Sequence, residues 1–117
     1  MLNKVIIMGR MTSDIEIKEV GKTAIGHFTV AVDRDYKNAG GEHDTDFIRC
    51  VAFNKTADFV DDYFGKGRMI AVIGRLQTGR YTEDNVTHFT TDVIVDSVSF
   101  TGEKSADDDK SARRTRR

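Results

Sequence analysis

Along most of the chain apolar residues alternate with polar ones, the spacing of strands that bury one face. Val5-Ile6-Ile7-Met8 is instead a compact apolar run, which predicts a first strand over residues 4–11 covered on both faces. Ile15 and Ile17 then alternate with charged residues, a half-exposed continuation that turns at Gly21-Lys22. Phe28, Val30 and Val32 mark a second strand over residues 24–34, and the polar stretch 35–44 suits a long hairpin loop. A third strand covers 46–53. After it the spacing changes: Phe59, Val60, Tyr63 and Phe64 recur at i, i+1, i+4 and i+5, a short amphipathic helix over 56–64. Thr56 or Asn54 can cap its start and Gly65-Lys66-Gly67 can end it. Residues 69–79 and 88–100 read as two further strands around a turn at Glu83-Asp84-Asn85. The alternation slips between Val95 and Val98, which predicts a bulge near Asp96-Ser97.

Three strands, a helix and two strands predict an all-β fold with one short helix. A five-stranded oligonucleotide/oligosaccharide-binding (OB) barrel has that order, although order alone does not establish function. Beyond residue 100 no apolar side chain larger than Ala remains, and Asp107-Asp108-Asp109 is followed by Arg113-Arg114-Thr115-Arg116-Arg117. The expected division is a barrel domain over 1–100 and a disordered charged tail over 101–117.

Composition narrows the chemistry. A chain of 117 residues suits one domain. No apolar run approaches a membrane span and residues 1–10 lack a secretory signal, so a cytoplasmic location without membrane contact is expected. Cys50 is the single cysteine, which excludes an internal disulfide and favours a reduced thiol in the core. No cysteine and histidine cluster offers a metal site, and no cofactor is expected. Asp33, Arg34 and Asp35, the pair Asp61-Asp62, and the scattered His27, His43 and His88 lack the spacing of metal-dependent or acid–base catalysis, so the chain does not read as an enzyme. Through Phe100 there are 12 basic against 15 acidic side chains, net −3. Any phosphate binding must therefore come from local arrangement of charge.

The third strand carries the informative pattern. Ile48, Cys50 and Ala52 share one face, uncharged and suited to a barrel interior; Phe47, Arg49, Val51 and Phe53 share the other. Arg49 resists unpaired burial, so Phe47 and Phe53 flank it in solvent unless the parity is reversed or the helix covers them. In the fourth strand Ile70, Val72, Gly74 and Leu76 point one way, and Arg75, Gln77, Gly79 and Tyr81 the other. Tyr36 lies between Arg34 and Lys37. Four exposed aromatics, each near a cation, suit unpaired bases: these present flat π-faces whatever the sequence, and each stack contributes ~1–3 kcal/mol.

Several segments together resemble the bacterial and phage single-stranded DNA-binding proteins of the homotetrameric type. They are Leu2-Asn3-Lys4-Val5-Ile6-Ile7-Met8-Gly9-Arg10, Phe28-Thr29-Val30-Ala31-Val32-Asp33-Arg34, Thr45-Asp46-Phe47-Ile48-Arg49-Cys50-Val51-Ala52-Phe53 and Gly74-Arg75-Leu76-Gln77-Thr78-Gly79-Arg80-Tyr81. The resemblance implies sequence-independent binding and protection of single-stranded DNA in replication, recombination and repair. It places base-stacking aromatics at Tyr36, Phe47, Phe53 and Tyr81, and basic residues for phosphate at Lys4, Arg10, Arg34, Arg49, Lys55, Lys66, Arg75 and Arg80. It also implies a homotetramer with strands pairing between subunits. Family members usually close on an acidic tip ending in phenylalanine that recruits replication and repair proteins, whereas this sequence closes on arginines. Arg113, Arg114, Arg116 and Arg117 are expected either to add salt-sensitive phosphate contacts or merely to aid solubility. The alternative is a primosome-type replication accessory barrel acting mainly through protein partners.

Overall fold

The apolar run at the start forms β1 (Val5–Met11), but only its inward residues are covered. Met11 is buried, while Ile6 and Met8 stand in solvent, which corrects the expectation of a strand covered on both faces. The structure, a computed structural model, describes residues 1–102. The arginines of the expected tail lie outside the described residues.

After β1 the chain breaks, with the Thr12 N–H donating to the Thr29 carbonyl at 3.0 Å. It resumes as β2 (Glu16–Val20), paired antiparallel with β3 (Thr23–Lys37) across the turn at Gly21. β4 (His43–Phe53) returns along β3. β5 (Met69–Glu83) and β6 (Val86–Ser99) form a second hairpin. β1 pairs with β5 on one side and, through Arg10 and Met11, with β3 on the other. A short parallel pairing, Cys50 with Val93 and Val51 with Ile94, joins β4 to β6. The barrel thus closes as β1-β5-β6-β4-β3-β1, five strands with β2 as the outer continuation of β1 on β3. This is the expected OB architecture.

The interior is filled from alternate strand positions. Val30, Ile70 and Val72 are fully buried, and Ala57, Val60 and Phe64 close one end from the helix side. α1 (Asn54–Tyr63) begins two residues earlier than the apolar spacing predicts. Neither Thr56 nor Asn54 caps it: Phe53 holds the cap position with no side-chain hydrogen bond. Asn54 adopts φ +51 and its Oδ1 accepts the Ala24 N–H at 2.9 Å, so its side chain ties α1 to β3. Asparagine tolerates this left-handed conformation better than most residues, which lets β4 turn into the helix with no intervening loop.

Both hairpins run beyond their apolar cores. β3 and β4 continue to Lys37 and from His43, leaving a loop of only Asn38–Glu42 in which Asn38 Oδ1 accepts the N–H groups of Gly40 and Glu42. β5 and β6 continue to Glu83 and from Val86, joined by Asp84 and Asn85 at φ +53 and +64. Two positive φ values in a two-residue turn match the twist of a tight hairpin. The pairing steps from Ile73–Ser97 to Gly74–Val95, so Asp96 is the extra residue of the expected bulge.

Cys50 is buried, and desolvation, reinforced by the negative charge of Asp92, pushes its thiol up to about 12. A free thiol ionises near ~8.5. Iodoacetamide at about pH 9 is therefore expected to leave Cys50 unmodified in the folded protein and to modify it in denaturant, as read by mass spectrometry. Rapid modification of the folded protein would contradict this burial. No helix among the described residues is long and apolar enough to cross a membrane.

Candidate nucleic-acid interface

Strand parity and register together define one outward sheet face. On β4, Phe47, Arg49 and Phe53 point away from the interior occupied by Cys50 and Ala52. The parallel register places Asp92 of β6 on the same outward side as Arg49. The antiparallel register adds Arg75 opposite Ile94, Gln77 opposite Asp92, and Tyr81 opposite His88. Phe47, Phe53 and Tyr81 therefore occupy the same face of one continuous β4-β6-β5 sheet. Tyr36 stands at the β3–β4 hairpin, its hydroxyl 3.5 Å from an Arg34 nitrogen. All four rings are accessible: Phe47 is 68% exposed, Tyr36 63%, Tyr81 52% and Phe53 38%. Phe47 and Phe53 lie six residues apart on β4, a span of ~20 Å. That exceeds the spacing of adjacent bases and suits bases separated by intervening nucleotides of one strand.

Two inward and outward assignments need correction. Val51 was expected to share the solvent face but is buried, held between His27 of β3 and Ile94 of β6 in the register. Leu76 has interior parity yet is exposed, because the β5–β6 hairpin has already left the barrel and has nothing beneath it. The same projection exposes Phe89, opposite Arg80 on the other face of the hairpin.

The eight cations divide among several surfaces. Arg49 and Arg75 stand on the face of the three rings. Arg34 lies beside Tyr36, and Lys55 follows Phe53 by two residues at the start of α1. Arg80 projects from the opposite face to Tyr81. Lys4, Arg10 and Lys66 belong to the β1 end and the loop after α1, which contribute none of the four rings; there Arg10 donates to the Gly67 carbonyl at 3.0 Å. Among the described residues, Lys4, Arg34 and Arg49 face carboxylates. Arg34 grips Asp46 with two hydrogen bonds of 2.9 and 3.1 Å and lies 3.9 Å from Asp44. The hydrogen bond from Arg34 holds the Asp46 carboxyl below the usual carboxylate range, and Asp46 in turn raises the Arg34 guanidinium. Arg49 Nε is 3.4 Å from Asp92 Oδ1, and Lys4 Nζ is 3.6 Å from Asp96.

Sequence reasoning missed His88, whose ring stacks on Tyr81 with centroids 4.9 Å apart and planes 19° apart. The signal was available: a two-residue turn at Asp84-Asn85 sets Tyr81 opposite His88. His43 was likewise read only as an isolated histidine. Its Nδ1 lies 2.7 Å from the Arg34 carbonyl, which can only accept, so Nδ1 carries the proton and ties the two strands beneath Arg34.

Comparison with known proteins gives a consistent pattern. The single-strand binding protein family matches residues 2–101. The chain is 37% identical over 105 residues to a single-stranded DNA-binding protein of Staphylococcus epidermidis, covering 90% of this chain and 80% of that protein. It is 42% identical over 108 residues to single-stranded DNA-binding protein 1 of Staphylococcus aureus, covering 91% and 65%. A single-stranded DNA-binding protein of Clostridium perfringens is 41% identical over 102 residues, covering 85% and 65%. The chain thus spans just under two thirds of the length of the latter two relatives.

Proposed function

Because the chain belongs to the single-strand binding protein family, we propose that its barrel, residues 1–100, binds and protects single-stranded DNA without reading its sequence during replication, recombination and repair. The observation that carries this reading is the placement of Phe47, Phe53 and Tyr81 on one outward sheet face, with Arg49 and Arg75 among them. Bases stack on the rings, Tyr36 extends the track at the hairpin, and the neighbouring cations meet the phosphates. This is a binding function with no bond made or broken, exercised in the cytoplasm. An accessory barrel acting mainly through protein partners is not favoured, because the family and the similar proteins are named for binding single strands.

The test is a fluorescence-anisotropy titration of a labelled single-stranded oligonucleotide and of its duplex. Tight binding of the strand with weak binding of the duplex is expected; equal affinity for both, or none for the strand, would remove the proposal.

Assembly as a homotetramer belongs to the same reading. Among the described residues Val5 to Gly9 of β1 pair with β5 alone, while Ile6 and Met8 are 73% and 55% exposed. A strand with one open edge and apolar outward side chains suits pairing with a second copy. Met8→Arg is expected to lower the solution mass by light scattering from that of four chains to one or two, with the circular dichroism of a folded barrel retained. An unchanged mass would place the contact elsewhere.

A further inference from the structure

Carboxylates stand beside the proposed stacking rings at two places: Asp92 on the β4-β6-β5 face, and Asp46 on the β3–β4 hairpin near Tyr36, on the opposite face of β4 from Phe47. Arg34, beside Tyr36, spends its fork on Asp46 with Asp44 close by. Arg49, between Phe47 and Phe53, faces Asp92, whose Oδ1 is buried without a hydrogen-bond partner and so depends on the arginine charge. The Arg34–Asp46 pair is exposed and contributes little to folding, whereas Asp92 is mostly buried. Both pairs lie beside rings, which gives them a consequence for ligands.

Resting on the single-strand reading above, we propose that Asp46 and Asp92 are specificity-determining residues that make this surface reject duplex DNA. They do so by occupying Arg34 and Arg49 until a ligand supplies more than phosphate. A phosphate reaching either arginine must displace a carboxylate, exchanging one anion for another with small net gain. A single strand offsets that exchange by stacking unpaired bases on Phe47, Phe53, Tyr36 and Tyr81. A duplex presents phosphates at higher density, but its bases are already stacked, so the rings gain nothing and the exchange stands alone. The net charge of −3 through Phe100 acts in the same direction.

The experiment compares the unmodified chain with Asp46→Asn, Asp92→Asn, the double variant and Asp62→Asn, each titrated with a single-stranded oligonucleotide and its duplex over a range of salt. Asp62, on the outer side of α1, supplies an equal change in net charge away from the rings. Each freed arginine is expected to steepen the log–log salt slope by ~0.7 on the strand and ~0.9 on the duplex. Duplex affinity should rise at least ~10-fold in the double variant and strand affinity by less, so that their ratio falls. Asp62→Asn should leave the ratio where it was. An unchanged ratio in Asp46→Asn, or an equal change in Asp62→Asn, overturns the proposal. Asp46 lies in an exposed pair, so its variant decides the matter even if Asp92→Asn unfolds. Failure of the unmodified chain to bind the strand is a different result, which removes the underlying reading instead.

Discussion

Replacing Phe47 and Tyr81 together by alanine is expected to weaken single-strand binding by roughly 30-fold to more than 10⁴-fold, since each stacked base contributes ~1–3 kcal/mol. These two rings are the cleanest probes of stacking because neither supports the barrel. Phe47 is 68% exposed on β4, and Tyr81 lies on the projecting part of the β5–β6 hairpin against His88. Phe53 is a poorer probe. At 38% exposure, opposite Ile25 and in the cap position of α1, it also secures the β4-to-helix junction, so its loss mixes binding with stability. The double variant should keep the unfolding midpoint and the oligomeric mass of the parent while losing affinity by anisotropy. The corresponding Phe47→Tyr variant should retain most binding, because the platform is kept. A double alanine variant with affinity within about threefold of the parent would exclude stacking at these positions as a main source of binding.

The largest effect on stability is expected at the seam where the barrel closes. Gly9 sits where β1 crosses β3, and a Cβ there would fall inside van der Waals contact with the Ala31 carbonyl and 2.8 Å from Val30 Cγ1. Gly74 sits at the register step of the β5–β6 bulge, where a Cβ would meet the Ile94 carbonyl oxygen and lie 3.1 Å from Val93 Cγ1. In both cases the nearest obstacle is backbone, which cannot swing aside as a flexible side chain can. Gly9→Ala and Gly74→Ala are each expected to cost ~2–4 kcal/mol, the upper range of overpacking, and to lower the thermal midpoint by roughly 10–25 °C. Gly40, in the open β3–β4 loop with only the Asn38 side chain near it, serves as the comparison and should lose little. Thermal unfolding followed by circular dichroism measures all three. Losses below about 1 kcal/mol at Gly9 and Gly74 would mean that the strands cross less closely than described.

How far the sequence discloses this surface depends on the range of the interaction involved. Local alternation was enough to set Phe47, Arg49 and Phe53 outward and Cys50 inward, and the slipped parity near Asp96 marked the bulge. Alternation failed at Val51 and Leu76, where burial depends on what lies across or beneath a strand. It also stopped both hairpins short: beyond the barrel neither face is buried, so no apolar rhythm marks the strands, yet backbone pairing continues. The helix start was misplaced because Asn54 spends its side chain on β3, a partner 30 positions away. The Asp92–Arg49 pair was invisible for the same reason, since it depends on the parallel pairing of β4 with β6. Arg34–Asp46 lies at an irregularity, the register shift between Asp33 and Lys37, which alternation along a single strand does not disclose.

These ion pairs sharpen the expected source of affinity. Among the described residues Lys4, Arg34 and Arg49 face carboxylates, so a phosphate that reaches them exchanges one anion for another with little net release of counter-ions, and stacking is expected to carry the larger share. The most direct test is the salt dependence of binding to a single strand of about ten nucleotides, within the range one such barrel engages. Stacking releases no counter-ions, so the log–log slope should be no steeper than about −3.5, with binding still measurable at 1 M salt. A slope near −5.6, the value for all eight cations on phosphate, with binding lost at 1 M, would contradict the account.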